Sequence, residues 1–531
     1  MMWVFWRRAT GRSEIVAVNG VVASSQPLAT QAGLEILVTG GNAVDAAIAT
    51  AAVLDVVEPF STGCGGDAFV LIHLPGKKKP LSVNGSGRAG TLTTLDELLE
   101  KDWKHMPVRG GPPVTVPGAM HLWGYLIEKY GALELGDVLS PAIRYAREGF
   151  PVSPIISEVW NLLIQVLGNE AARRIFSIDG RSPRAGETMF NKDLAKVFET
   201  VAAEGISAFY GGSMCEAIVK TVQDHGGFLT LDDLAKHKTV ETTAISTSYR
   251  GIEIYEHPPN GQGFAALSML NIMESFDFGQ YSPLDAERYH TMIEAKKLAY
   301  ADLYQHNADP DFYNVPLDGL LSKRYAKKRA ERINPEQAMD APSPGIAIGP
   351  DTVYLATADG EGMAVSFINS LYMGFGSGLV VPGYGIKLQN RGNLFSLNPK
   401  HPNCYAPGKL PFHTIIPGAM YKDNNLFGVF GIMGGAHQAQ AHAQFVSNVI
   451  DHQMGPQEAL DHPRFNHNQE MNTVALENGL PLGVQSTLRR RGHKLVHETM
   501  SGFGGGQAIF RLRDAWIAGS DFRKDGQAAG F

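Results

Sequence analysis

The stretch from residue 348 to residue 370, "IGPDTVYLATADGEGMAVSFINS", predicts a β-hairpin. Thr352 to Ala358 carries the alternation and the β-branched and aromatic side chains of a strand. Asp359 to Gly362 is a turn signal, and Met363 to Ile368 is predicted to run back as the second strand. Two interpretations of Thr352 remain open at this point. It is either the first residue of an internal strand, or the first residue of a chain that cleavage sets free.

The composition indicates a folded globular chain of 531 residues, of which 44% are hydrophobic and 19% charged. A net charge of −7 without a basic stripe argues against nucleic acid as a partner. The three cysteines, Cys64, Cys215 and Cys404, are an odd number and lack CxxC spacing, so a disulfide framework is not expected. A reducing compartment is the simpler interpretation.

The N-terminal segment, "MMWVFWRRATGRSE" (residues 1–14), does not match a signal peptide, because its apolar part is short and its charges follow that part. No later window has the roughly 18 uncharged apolar residues of a membrane span. We therefore expect a soluble, cytoplasmic protein with no membrane partner.

Helix and strand signals occur on both sides of one boundary near residue 351. A helix is expected from Pro27, a second begins after the N-cap Asn42, and residues 120–235 are predicted to be mostly helical. Strands and glycine turns dominate from Thr352 onward, until a helix follows "MGG" at residues 433–435. We predict segments 1–351 and 352–531 that together form one structural domain.

Thr352 has a chemical reason to be more than a strand residue. A threonine hydroxyl is a poor nucleophile unless a base lies beside it, and the α-amino group of an N-terminal threonine is such a base, with a reference pKa of roughly 7.7 to 8.0. The Pro- and Gly-containing stretch "MDAPSPGIAIGPD" (residues 339–351) is a candidate loop that exposes the bond before Thr352. Backbone N–H groups at Gly434 and Gly435 are candidates for holding an oxyanion.

Motifs over nearly the whole chain resemble the γ-glutamyltranspeptidase family of N-terminal-nucleophile hydrolases. They are "VVASSQPLATQAGLEILVTGGNAVDAAIATAAVLDVVEP" (21–59), "PPNGQGFAALSMLNI" (258–272), "EAKKLAYADLYQHNADPDF" (294–312) and "SDFRKDGQAAGF" (520–531), in the order of the family. The resemblance implies an α+β fold, a four-layer αββα sandwich.

The resemblance also implies the catalytic residues. Thr352 is implied as the nucleophile of both self-cleavage and catalysis, which would give fragments of 351 and 180 residues from the 531-residue chain. Ser370 stands where the family usually has a second hydroxyl that bonds the nucleophile, and Gly434 and Gly435 match its oxyanion diglycine. The two fragments are predicted partners of each other, and a homodimer of that heterodimer is left open.

Departures from the family pattern concern the substrate's amino group. The γ-glutamyl enzymes bind this group with an asparagine, an amide and an acidic residue, and the matching positions here read Tyr372, Arg391 and Leu394. A cation would repel an ammonium group, and a leucine offers no counter-charge. Glutathione is therefore an unexpected substrate.

The carboxylate-binding positions differ as well. The family's serine pair reads His413–Thr414, its arginine falls nearest Asn84, and an arginine appears at Arg88 instead. Since arginine suits bidentate carboxylate recognition, we predict a small amide with one carboxylate on its acyl side. The pattern resembles the subgroup that contains oxamate amidohydrolase, and more distantly the cephalosporin and glutaryl acylases, more than it resembles true transpeptidases. Five residues are candidates for substrate binding: Arg88, Tyr372, Arg391, His413 and Thr414. For each of them the structural alternative is surface salt-bridging or core hydrogen bonding.

No cofactor and no metal are predicted. "GSGRAG" (85–90) matches a dinucleotide-binding pattern only formally, because the loop-like residues 105–115 replace the rest of a βαβ unit. His437 and His442 are five residues apart and do not share a helix face as zinc ligands would, so helix-surface or core hydrogen bonding is expected.

The residues and the resemblance together predict an autoprocessing N-terminal threonine amidohydrolase that acts through an acyl-enzyme. Two other functions compete with this prediction. The first is a γ-glutamyl hydrolase or transpeptidase acting on glutathione-like compounds through an unusual pocket. The second is an unprocessed, non-catalytic binding protein. Retention of Thr352, Ser370 and both glycines favours an enzyme.

Overall fold

The computed structural model describes residues 11–340 and 351–531, apart from the side chains of Asp351 and Ser501. Its strands, in chain order, are β1 (Ile15–Ala17), β2 (Gly20–Ser24), β3 (Asp67–His73), β4 (Leu81–Gly85), β5 (Phe150–Pro151), β6 (Thr188–Met189), β7 (Val240–Thr242), β8 (Ile245–Tyr249), β9 (Ile252–Glu256), β10 (Asp351–Asp359), β11 (Ala364–Tyr372), β12 (Gly418–Lys422), β13 (Asn425–Met433), β14 (Phe465–Asn468), β15 (Thr473–Leu476), β16 (Lys494–Val496), β17 (Gly505–Leu512), β18 (Ala515–Ser520) and β19 (Gln527–Gly530).

The α-helices, in chain order, are α1 (Pro27–Val38), α2 (Ala43–Val57), α3 (Leu95–Leu99), α4 (Ala119–Tyr130), α5 (Leu135–Glu148), α6 (Pro154–Leu163), α7 (Glu170–Phe176), α8 (Lys192–Glu204), α9 (Ser207–Tyr210), α10 (Gly212–Asp224), α11 (Leu231–Ala235), α12 (Gly263–Met273), α13 (Ala286–His306), α14 (Leu317–Leu320), α15 (Lys323–Ala330), α16 (His437–Asp451), α17 (Pro456–Asp461) and α18 (Leu482–Arg490). No helix of the described residues is long and apolar enough to cross a bilayer.

Two seven-stranded sheets form the centre of the fold. The Thr352 sheet has the order β19-β2-β10-β11-β3-β4-β7, and the diglycine sheet has the order β1-β18-β17-β13-β12-β9-β8. Each sheet contains strands from both sides of residue 351. The two proposed fragments therefore share both sheets, and their backbones hydrogen-bond along several strand pairs.

Strand β10 shows how four layers arise from one alternating pattern. Val353 and Leu355 belong to the core that the Thr352 sheet shares with α1 and α2. Tyr354 and Ala356 point the other way and belong to the core between the two sheets. A third core lies between the diglycine sheet and helices α12, α13 and α16. This αββα arrangement confirms the fold class expected from the sequence.

Helices α1 and α2 begin where the sequence predicts. Pro27 is the first residue of α1, and Asn42 caps α2 in a capping box that includes Asp45. The helices pack closely because small residues face each other. A Cβ atom on Gly33 would lie 2.3 Å from the Thr50 hydroxyl oxygen. The prediction of a buried, alanine-rich α2 is confirmed, since all of its residues are buried.

The predicted hairpin exists, but its second strand is longer than the sequence pattern indicated. Strand β11 continues beyond Ile368 to Tyr372, so Ser370 lies inside the strand and not after its end. The ladder with β3 supports this extension, because Ser370 pairs with Asp67 across the sheet. The candidate loop before Thr352 and the N-terminal segment lie largely outside the described residues, at 341–350 and 1–10.

Candidate active site

Thr352 and Ser370 lie at a β-bulge between β10 and β11. Asp351 pairs with Tyr372 and Val353 with Asn369, so Thr352 stands opposite two residues, Ser370 and Leu371. The two hydroxyl oxygens are 3.1 Å apart, and both side chains are buried. The Tyr372 N–H donates to the Ser370 oxygen at 2.8 Å, which fixes that hydroxyl beside the threonine.

Gly434 and Gly435 form the turn between β13 and α16. Their φ angles of 134° and 57° lie in the left-handed region, where glycine is favoured. Gln262 holds this turn from the side of α12, because its amide nitrogen donates to the Gly435 carbonyl at 2.8 Å and to the Thr414 carbonyl. The role of the Gly434 and Gly435 N–H groups in holding an oxyanion stays a prediction.

Arg391, Tyr372 and Thr414 form one buried cluster. The Arg391 guanidinium donates to the Thr414 hydroxyl at 2.8 Å and lies 4.5 Å from the centre of the Tyr372 ring. Its Nε and Nη2 atoms, and the Tyr372 hydroxyl, have no hydrogen-bond partner among the described residues. Burial lowers the pKa of Arg391 to about 10, although Asp67 acts in the opposite direction. The cluster thus presents unsatisfied donors at the end of β11, two residues beyond Ser370.

Asp67 joins this cluster and was missed by the sequence analysis. One carboxylate oxygen accepts from the Gly87 N–H at 2.9 Å and from the Gln389 amide at 3.0 Å. The other lies 2.9 Å from His413 Nε2 and 4.0 Å from Arg391 Nε. The sequence did carry one signal, because this acidic residue directly precedes the apolar run "AFVLI" of a buried strand. A carboxylate is rarely buried without a partner, so its position indicated a partner elsewhere in the chain.

The protonation states of this group follow from its burial. Burial raises the pKa of Asp67 to about 7, against the attraction of Arg391 and the hydrogen bonds to the carboxylate. Burial, with Arg391 and His257 nearby, lowers the pKa of His413 well below its usual range. His413 is therefore neutral near pH 7, and its Nε2 hydrogen bond to Asp67 leaves Nδ1 without a partner among the described residues.

The structure places four of the five predicted substrate-binding side chains together, and Arg88 apart from them. Asp67 contacts His413 and Arg391. Arg391 in turn contacts Tyr372 and Thr414. The Arg88 guanidinium binds Asp309 at 3.2 Å and Asp311 at 2.7 Å, and it is partly exposed. This is the arrangement of a structural ion pair, the alternative stated for Arg88.

Within residues 11–340 and 351–531, one group of side chains could in principle hold a metal ion: His290, Glu294 and His493. The two imidazoles hydrogen-bond to each other at 2.8 Å, and Glu294 forms an ion pair with Lys297 at 2.8 Å, whereas His493 Nδ1 has no hydrogen-bond partner among these residues. A lysine ammonium beside the carboxylate disfavours a cation there.

His442 takes the core hydrogen-bonding role expected of it. Its Nε2 accepts from the Ile432 N–H at 3.0 Å, so its Nδ1 donates to Glu256 at 2.7 Å. His437 and His442 both lie on α16, but only His437 borders the cavity described below.

The four-layer αββα sandwich places the protein among the N-terminal-nucleophile hydrolases. The model of the gamma-glutamyltranspeptidase family matches residues 29–531, so the chain belongs to that family. The predicted resemblance is confirmed.

Three comparisons describe its place in the family. The chain is 37% identical to the glutathione hydrolase-like YwrD proenzyme of Bacillus subtilis (strain 168), over 97% of this chain and 99% of that protein. It is 32% identical to the oxamate amidohydrolase proenzyme of Klebsiella pneumoniae, over 98% and 100%. The crystal structure of cephalosporin acylase from Bacillus halodurans matches with a TM-score of 0.93 and 43% identity, covering 99% of this chain and 98% of that chain.

These relatives are hydrolases and acylases, so the chain is an amidohydrolase of this family. The non-catalytic binding protein, the second competing function, is thereby disfavoured.

Proposed function

We propose that this protein is an autoprocessing N-terminal threonine amidohydrolase that cleaves the amide of a small carboxylate-bearing substrate. One observation carries the proposal: the strand that carries Ser370, the partner of Thr352, continues to Tyr372, whose ring contacts an arginine with two unsatisfied nitrogens. Relatives named as proenzymes support the processing step.

Processing begins from the uncut chain. Thr352 Oγ attacks the carbonyl carbon of Asp351, and the hydroxyl proton passes to the Thr352 nitrogen as the peptide C–N bond breaks, which gives an ester and a free α-amine. Water then hydrolyses the ester, which leaves fragments 1–351 and 352–531. Ser370 Oγ, 3.1 Å from the attacking oxygen, orients it at the bulge. Shared sheets keep the fragments together after cleavage.

Catalysis uses the amine that processing creates. The amine takes the Thr352 hydroxyl proton while the oxygen attacks the substrate's amide carbon. N–H groups at Gly434 and Gly435 stabilise the negative oxygen of the tetrahedral intermediate. The proton passes to the leaving amine as the C–N bond breaks, and water releases the acid from the acyl-enzyme.

Arg391 is the proposed ligand of the acyl-side carboxylate. Its free Nε and Nη2 atoms offer charged donors, and the Tyr372 hydroxyl adds a neutral one. Arg88 is proposed as a structural residue instead. A γ-glutamyl ammonium group would meet the Arg391 cation, so the glutathione-like alternative is disfavoured.

Mass spectrometry of the purified chain tests the processing step. We expect two fragments of 351 and 180 residues, the smaller beginning at Thr352. The α-amine of the small fragment should be identified by N-terminal sequencing. An intact 531-residue chain after prolonged incubation under folding conditions would contradict the proposal.

Replacement of Arg391 tests the substrate class. Because charged hydrogen bonds contribute about 1.5–3 kcal/mol each, R391M should raise KM for a dicarboxylate monoamide by about 10- to 100-fold. For the matching acyl amide without the carboxylate, KM should change little. R88M serves as the matched arginine control and should leave the preference for the carboxylate intact. Equal losses for both substrates in R391M would assign Arg391 to the core alone.

A further inference from the structure

A polar cavity of about 310 Å³ adjoins the Gly434–Gly435 turn on the side of α13. Gly434 and Ala436 line it, and the Ala436 carbonyl accepts a hydrogen bond from Tyr300 of α13. The Gly435 carbonyl is held from the other side by Gln262, which also contacts Thr414 of the Arg391 cluster. The proposed oxyanion turn thus lies between the Arg391 cluster and this cavity.

Lys296 is a buried amine on the wall of this cavity without a carboxylate partner in the described part of the chain. Its Nζ lies 3.0 Å from His467 Nδ1, 3.1 Å from Gln469 Oε1 and 3.9 Å from the centre of the Tyr300 ring.

The next residue, Lys297, is equally buried but forms an ion pair with Glu294 at 2.8 Å. Since buried charges are normally paired, Lys296 lacks the anion that its neighbour has.

A second side chain of the cavity also has unused hydrogen-bonding capacity. His437 is buried, and neither ring nitrogen meets the geometry of a hydrogen bond among the described residues, although Asn466 lies beside the ring. Two carboxylates border the cavity as well. Glu470 is exposed, and Glu498 accepts from Asn466 at 3.0 Å. Neither forms an ion pair with Lys296 among the described contacts.

We propose that this cavity is the leaving-group subsite and that Lys296 binds a carboxylate on the amine released from the substrate. The inference rests on the proposed function. It adds a second carboxylate to the substrate, on the opposite side of the scissile amide from the one assigned to Arg391. A volume on the order of ten water molecules accommodates an amino acid.

Binding of an anion should change the protonation of Lys296. Burial, with Lys297 nearby, lowers the pKa of Lys296 well below its usual range, which favours the neutral amine in the empty site. A bound carboxylate favours the ammonium form, and the complex takes up a proton from solution. The titratable groups that line the cavity together with Lys296 are His437, His467, His497, Tyr300, Tyr304, Glu470 and Glu498.

Equilibrium binding to the uncut T352A chain tests this inference without turnover. N-acetylglycine and N-acetylglycinamide are matched probes that differ in the carboxylate. Calorimetry at pH 8 should show at least about tenfold tighter binding of the acid, with uptake of about one proton measured in two buffers of different ionisation enthalpy. K296M should abolish both the preference and the proton uptake, whereas R391M should keep them.

The contrary results are equally defined. Equal binding of the two probes, absence of proton uptake, or a preference that survives K296M and disappears in R391M would overturn the subsite. If K296M does not fold, the preference of the unaltered cavity for the acid over the amide, and its retention in R391M, decide. None of these outcomes depends on cleavage at Thr352, so a failure here is separable from a failure of the proposed function.

Discussion

Replacing Thr352 with alanine is expected to leave an intact 531-residue chain with no amidase activity. The change removes the only atom that can attack either the Asp351 carbonyl or a substrate amide in the proposed mechanism. Loss of a catalytic nucleophile costs on the order of 10⁶-fold in kcat. The chain should still fold, because β10 pairs with its neighbours through backbone hydrogen bonds that the Thr352 side chain does not make. Intact-mass spectrometry and an amide-hydrolysis assay measure the two effects.

The matched control is T352S, which keeps the hydroxyl and the α-amine. We expect both fragments and a measurable part of the activity, since only a methyl group is lost. Fragments from T352A, or undiminished activity in it, would show that another residue is the nucleophile. Processed but inactive T352S would separate the cleavage step from catalysis.

Local patterns in the sequence were sufficient for the hairpin and the layers. The alternation from Val353 to Ala358 places successive side chains in two different cores, and this alternation is a property of any strand. It also places Thr352 on the side of the second sheet. The return strand was predicted too short because "NSLY" is polar in part, yet Ser370 pairs with Asp67 of β3, and both Ser370 and Tyr372 are buried.

The partners of the charged residues could not be predicted from the same patterns. Arg88 binds Asp309 and Asp311 across more than 200 residues of chain, and no local spacing encodes such a contact. Asp67 was missed for the same reason, because its partner His413 lies in a distant loop. Only the fold brings these charges together, so the cluster at Arg391 is a tertiary property.

Asp67 should be among the most sensitive positions for stability. D67A removes the acceptor of two N–H donors and the anion nearest Arg391, all of them buried. Breaking a buried ion pair by removing one partner costs about 3–5 kcal/mol in free energy of unfolding. Urea denaturation of D67A in the T352A background, where the chain is one covalent unit, should show a clearly lower midpoint than T352A alone.

The titration of Asp67 gives a second prediction, which is the direction in which stability changes with pH. The pKa of Asp67 is raised to about 7 in the folded chain from its ordinary value of 3.8, so the folded state binds more protons than the unfolded state between about pH 4 and 7. This carboxyl therefore makes folding less favourable as the pH rises through that window. D67N does not titrate and should lack this contribution. Other buried carboxyls titrate both in D67N and in the chain with Asp67. The difference between the urea midpoints of these two chains therefore isolates the contribution of Asp67 to the pH dependence. From pH 5 to pH 8 the chain with Asp67 should lose stability relative to D67N, and a difference that is constant with pH would mean that Asp67 stays ionised across the range.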